Sequence, residues 1–218
     1  MKNRIIISIL IFLFLTTITS KQTLEISKFK LKKIDIENNF LLNEEDIKKQ
    51  LIPIYDKNLI FLRNSEVEKE LVRNSFIDSF NIKKKYPDTL RIKIFEKKPI
   101  AILLKEKKRF YLSEKIELIE FNNYKKLQNL PLVLGDEVEF KIFYNNLKKI
   151  NFPFELADKF TLYEMKRWDI ETVNKNIIKL PPKNYLESLK NYLKLRNQIE
   201  SKKYKVFDYR IKNQLIVK

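Results

Sequence analysis

A chain of 218 residues, 44% hydrophobic and 33% charged, is long enough for an anchor plus one ordinary domain or two small ones, and apolar enough to pack a core. It holds no cysteine and no histidine, which excludes thiol nucleophiles, disulfides, zinc fingers and a Ser-His-Asp hydrolase, and leaves catalysis only carboxylates, lysine and tyrosine. Its single glycine, Gly135, excludes glycine-rich phosphate loops, and the net charge of +17 comes from lysines scattered along the whole length, the pattern of a solvated surface.

In chain order, Met1 to Arg4 carry two positive charges, and an unbroken apolar run follows from Ile5 to Leu15, continuing through Thr16–Ser20. About 16 helical residues span roughly 24 Å, a little short of a hydrocarbon core of roughly 30 Å. This is the shape of an export signal, read either as a cleaved signal peptide or as an uncleaved anchor. Counting positive charges does not choose between them, because Lys21, Lys28, Lys30, Lys32 and Lys33 beyond the apolar run outnumber Lys2 and Arg4.

The first folded unit is expected from Leu31. Leu31–Ile36 alternates as a strand and turns at Glu37-Asn-Asn39. Asn43 is an N-cap for a helix carrying Ile47 and Leu51, stopped by Pro53. Ser65-Glu-Val-Glu68 reads as a capping box for a second helix that buries Val67 and Leu71. Phe76–Lys84 is a strand with Phe80 and Ile82 inward, Tyr86-Pro-Asp88 a turn, and Thr89–Phe95 a strand with Leu90, Ile92 and Ile94 on one face. The order is β-α-α-β-β.

Beyond it, short apolar runs at Ile100–Leu104, Phe110–Leu112, Ile116–Phe121 and Leu130–Leu134 predict a meander of strands. Glu137–Ile150 has helical spacing. Phe160–Met165, Trp168–Val173 and Ile177–Leu180 predict three more strands, and Pro181-Pro182 leads into a helix from about Asn184 to Glu200. Val206–Ile211, a turn at Lys212-Asn213, and Gln214–Lys218 close the chain. Trp168 is expected in the core. Glu114, Glu117 and Glu120 are expected as surface acids and not as a glycosidase pair, and Lys105–Arg109 as a hairpin tip.

The β-α-α-β-β order directly after an anchor resembles a POTRA domain. Pro87–Ala101 resembles the run of the FtsQ/DivIB family from the last POTRA strand into its β domain, with a "Pro-x-x-Leu-x-Ile … Glu-Arg-x-Pro-x-Ala" pattern. Lys166-Arg-Trp-Asp-Ile170, ending at Leu180-Pro181, is similar to the family's "Arg-Trp-Asp-Leu … Leu-Pro", and Asp208-Tyr-Arg210 to its closing "Asp-Leu-Arg". Glu96-Lys97 stands where Glu-Arg is usual, and Ser113-Glu-Lys115 and Asn174-Lys-Asn176 replace glycine-bearing turns.

The resemblance implies an α+β chain: a cytoplasmic tail at 1–4, an uncleaved transmembrane signal-anchor at 5–20, a linker at 21–29, the POTRA domain at 30–98 and a mixed β-sheet domain with two helices at 99–218. It implies a non-catalytic division scaffold of the inner membrane, single-pass and type II, facing the periplasm at the septum and binding FtsB/FtsL-like bitopic proteins. The expected mode is strand addition at a C-terminal edge formed by Tyr209, Arg210, Ile211, Gln214, Leu215, Ile216 and Val217. No cofactor, metal, small-molecule substrate or nucleic acid is expected. The alternative is a secreted basic protein that binds nucleic acid or another anionic polymer.

Overall fold

The computed structural model describes residues 2–16, 28–196 and 204–218. Two compact units divide between Glu96 and Lys97. The first, ending at Glu96, opens with helix α1 (Lys2–Thr16), apolar on all sides over Ile5–Phe14, with Phe14 79% exposed. Residues 17–20 of the expected anchor and 21–27 of the expected linker lie outside the described residues. No helix among the described residues is long and apolar enough to cross a membrane.

The first unit contains β1 (Lys33–Glu37), α2 (Glu44–Gln50), α3 (Asn64–Leu71), β2 (Ile77–Lys85) and β3 (Thr89–Glu96), which is the expected β-α-α-β-β order. Its sheet runs β1-β3-β2, with β1 parallel and β2 antiparallel to β3. The central strand alternates as expected: Leu90, Ile92 and Ile94 are fully buried, with Ile34 and Ile36 of β1 paired to Leu90 and Ile92. Opposite them, Phe80 and Ile82 face the same side but are only half-buried, because β2 is an edge. Asn43 caps α2, its side chain accepting the Glu45 N–H at 3.0 Å.

The start of α3 differs from expectation. The helix begins one residue before Ser65, and the Glu66 carboxylate, not Glu68, accepts the Arg63 N–H at 3.1 Å. Glu96, the acid of the Glu-Lys-Lys-Pro stretch, accepts backbone N–H groups of Phe40, Leu41 and Leu42 at 2.8–3.1 Å. That carboxylate ties the loop after β1 to the last strand, a concrete reason for an acid there.

The second unit contains β4 (Pro99–Lys105), β5 (Lys108–Ser113), β6 (Leu118–Glu120), β7 (Leu132–Leu134), α4 (Glu137–Lys149), β8 (Ala157–Tyr163), β9 (Arg167–Thr172), β10 (Ile177–Lys179), α5 (Tyr185–Leu195), β11 (Val206–Asp208) and β12 (Ile216–Val217). They make one nine-stranded sheet, ordered β12-β11-β10-β9-β8-β7-β4-β5-β6. Only β4-β5-β6 is the expected meander. β7 returns parallel to β4, and the two helices are the crossovers that make β8 parallel to β7 and β11 parallel to β10. The sheet is therefore mixed.

Both helices lie on one face. Phe140, Phe143 and Leu147 of α4, with Leu189 and Tyr192 of α5, pack on Phe160, Trp168, Ile170, Ile178 and Phe207. Phe143 stacks on Trp168 at 4.8 Å, which confirms the core placement of the tryptophan. Gly135 is small for a reason: a Cβ there would meet Leu162 Cβ at 2.8 Å and Trp168 at 3.1 Å. The turns are built without glycine. All twelve left-handed residues recorded among the described ones carry a side chain, and five are asparagine. Ile116, expected in a strand, and Met165, expected at a strand end, are two of them and sit in turns.

Candidate partner-binding edge

The edge is built from the last fifteen residues and the strand they lean on. β11 is held on its inner side by β10, with the Ile177 N–H donating to Lys205 O at 2.7 Å and the Tyr209 N–H to Lys179 O at 2.9 Å. After β11 the chain turns at Ile211–Gln214, where Asn213 is left-handed and the Gln214 N–H donates to Ile211 O at 3.2 Å. It then returns antiparallel as β12, with Val217 opposite Phe207 and Ile216 opposite Asp208.

That register determines which backbone groups are available. Lys218 and Val206 exchange bonds in both directions, at 2.9 and 3.0 Å. In an antiparallel ladder bonded pairs alternate, so Ile216 also turns its N–H and C=O inward, and Val217 and Leu215 turn theirs away from the sheet. No described strand lies beyond β12. The side chains follow the opposite parity. Leu215 and Val217 pack against the core, while Ile216, 37% exposed, lies on the open face of the sheet. The outward backbone groups thus belong to residues whose side chains fix the strand in place.

Of the residues expected at the edge, Gln214, Leu215, Ile216 and Val217 lie on or next to β12, and Ile211 is 51% exposed in the turn before it. Tyr209 is different. It is 5% exposed, its hydroxyl has no hydrogen-bond partner, and burial pushes its pKa up to about 12. It supports the edge from the core side and presents no contact surface.

Arg210 lies on the open face and its guanidinium grips Asp208, Nε donating to Oδ1 at 2.8 Å and to Oδ2 at 3.1 Å and Nη2 to Oδ2 at 2.6 Å. The bidentate guanidinium holds the Asp208 carboxyl below its ordinary value. Asp208 belongs to a cross-strand row on the open face, Ile216–Asp208–Lys179–Asp169, set by the ladders. Asp169 is 6% exposed; burial raises its pKa, against the pull of Arg167.

Asp208, Lys179 and Asp169 were not among the expected site residues. Lys179 and Asp169 meet the edge only through strand register, which no local pattern in the chain carries. Asp208 had a signal, standing two residues before Arg210 in the Asp-Tyr-Arg stretch. The remaining candidates fall elsewhere. Glu117 pairs with Lys97 at 3.0 Å. Lys105 pairs with Glu137 at 2.7 Å beside the two-residue turn Glu106-Lys107.

Comparison with known proteins adds the kinship. A family model described as the POTRA domain, FtsQ-type, matches residues 29–97. The cell division protein FtsQ of Rickettsia conorii is 27% identical over 215 residues, covering 94% of this chain and 77% of that protein. FtsQ of Rickettsia bellii is 28% identical over 199 residues, covering 87% and 72%. The cell division protein DivIB of Clostridium botulinum is 25% identical over 139 residues, covering 64% and 54%. Residues 29–97 thus match an FtsQ-type POTRA domain, and most of the chain is similar to the cell division proteins FtsQ and DivIB.

Proposed function

We propose that the protein is a non-catalytic division scaffold. Residues 5–20 tether it in the inner membrane, single-pass and type II, with the bulk of the chain in the periplasm at the septum. It captures FtsB/FtsL-like bitopic partners by adding a strand of theirs to β12. The observation that carries this reading is the outward-turned backbone of Leu215 and Val217 at the end of a nine-stranded sheet. An unpaired edge strand accepts another chain's strand unless a proline, a bulge or an inward charge blocks it, and β12 has none of these. Ile216 offers the incoming strand an apolar cross-strand neighbour, and Arg210 beside it offers a cation.

The tether is supported by α1, whose apolar side chains over Ile5–Phe14 are exposed on all sides. Such a helix is stable only when something apolar surrounds it. The test is a pull-down of the protein against the periplasmic segments of FtsB and FtsL from the same organism, repeated with residues 214–218 removed. Ile211→Glu and Ile216→Glu should each abolish capture without unfolding the sheet, because both side chains are exposed. Unchanged capture by both variants would sink the edge reading, and no capture by the intact chain would sink the scaffold role.

A further inference from the structure

The basic residues that follow the apolar helix have no part in the edge, yet the fold gathers them. The chain enters the first unit at Phe29, whose ring meets the Tyr86 ring at 6.0 Å, and whose carbonyl accepts the Leu59 N–H at 2.7 Å. Next, the N–H groups of Lys32 and Lys33 both donate to Asp88 O, at 2.9 and 3.2 Å. The entering segment is thereby pinned to the β2–β3 turn. At that turn β2 ends in Lys83-Lys84-Lys85, and the ladders place Lys85 and Lys33 on either side of Thr89. One pole of the unit therefore collects lysines from two separate stretches of sequence. Lys30, Lys32, Lys83 and Lys85 are exposed there, and Tyr86 beside them is 55% exposed. Of the nearby acids, Asp88 accepts a bond from the Thr89 hydroxyl and Asp35 pairs with Lys33 at 3.4 Å.

This pole is also where the tether arrives. Eleven residues, 17–27, separate the end of α1 from Lys28, and fully extended they reach about 40 Å at most. We propose that the basic pole, with Tyr86 as its aromatic anchor, docks the POTRA unit onto the anionic headgroups of the membrane that holds α1. The inference rests on the tethered reading above. Clustered lysines next to a membrane segment are attracted to anionic lipid over about a Debye length, and exposed tyrosine rings settle at headgroup level. The tether confines the pole to the surface, so weak individual contacts suffice. The excess of lysine on the far side of the apolar run, which makes charge counting fail as a guide to orientation, then has a use.

The chain has no cysteine, so Asp88→Cys gives a single labelling site at the pole. The labelled full chain is placed in vesicles of phosphatidylcholine alone, or of phosphatidylcholine with phosphatidylglycerol, each carrying a headgroup-attached quencher. Quenching should be strong in the anionic vesicles, weak in the neutral ones, and relieved by high salt. In the same background, Lys83→Gln with Lys85→Gln should shift the docked-to-undocked ratio about 25-fold, at about fivefold per charge removed. Lys30→Gln with Lys32→Gln should act in the same direction through the other stretch. Equal quenching in the two vesicle types overturns the proposal and leaves the pole to an acidic protein partner. Flotation with the vesicles at high salt separates the two readings. A chain that floats but is quenched equally refutes only the docking, whereas one that does not float refutes the tether and the docking with it.

Discussion

Tyr209 and Arg210 are neighbours in sequence with opposite environments, because alternation along a strand sends one to the core and the next to the open face. The Tyr209 hydroxyl is buried without a partner, so removing it removes an unpaid desolvation. Tyr209→Phe is expected to leave stability unchanged or raise it by about 1 kcal/mol, measured as a thermal or urea midpoint. The same burial has a sign in pH. With the native phenol at about 12 and the ordinary value at 10.0, the unfolded chain loses its proton first, and stability falls as pH rises through that window. Tyr209→Phe should remove that alkaline loss.

Asp208 works the other way. Its native pKa lies below the ordinary 3.8 because Arg210 binds the ionised form, so its stabilisation is full above that value and is lost as pH falls through the native one. Arg210→Met should return the Asp208 titration, followed by carboxyl NMR shifts, to about its ordinary value. An unmoved titration would mean that the bidentate contact does not form in solution.

At the scale of elements, the strand and helix pattern was legible where one periodicity dominated. β3 alternates cleanly between a buried face and a solvent face, so Leu90, Ile92 and Ile94 could be placed by inspection. What failed was of two kinds. Ile116 and Met165 are apolar and β-like in composition, yet occupy left-handed turn positions, because a chain with one glycine must turn on other residues. The order β4-β7-β8 was not legible either, since it depends on parallel pairings across β5-β6 and across α4 that local pattern does not record.

The edge itself was half legible. Its location at the chain end came from resemblance, whereas which backbone groups face outward follows only from the Val206–Lys218 register. The glycine shortage makes a prediction of its own. Glu106 and Lys107, at φ 50° and 64°, form the two-residue turn between paired Lys105 and Lys108, the mirror-image type that favours Asn-Gly. Lys107→Gly should stabilise the second unit by about 1 kcal/mol, the left-handed strain removed less the added flexibility of glycine. A thermal midpoint that falls would show the turn is held by contacts other than its own backbone.

At the scale of the whole molecule, the proposed function makes β12 both a part of the fold and an offer to a partner, and the two roles can be separated. Removing residues 214–218 takes away the half-buried side chains of Leu215 and Val217 and the backbone bonds that Lys218 and Ile216 make to Lys205, Val206 and Asp208. At about 1 kcal/mol for each half-buried side chain and about half that for each bond, the loss is about 4 kcal/mol. Against a stability of roughly 5–15 kcal/mol for an ordinary domain, the sheet stays folded with β11 as its new edge. Its melting point should fall by on the order of 10 °C.

Loss of partner capture in that truncation is therefore ambiguous on its own, because a weakened sheet binds less of everything. Val217→Pro resolves it. The substitution deletes an N–H that points away from the sheet and leaves the inward bonds of Lys218 in place. The expected result is a melting point within a few degrees of the parent together with loss of capture as complete as in the truncation. If the proline variant captures partner normally while the truncation does not, the last strand acts by stabilising the sheet, and the contact surface is the open face carrying Arg210, Asp208 and Ile216.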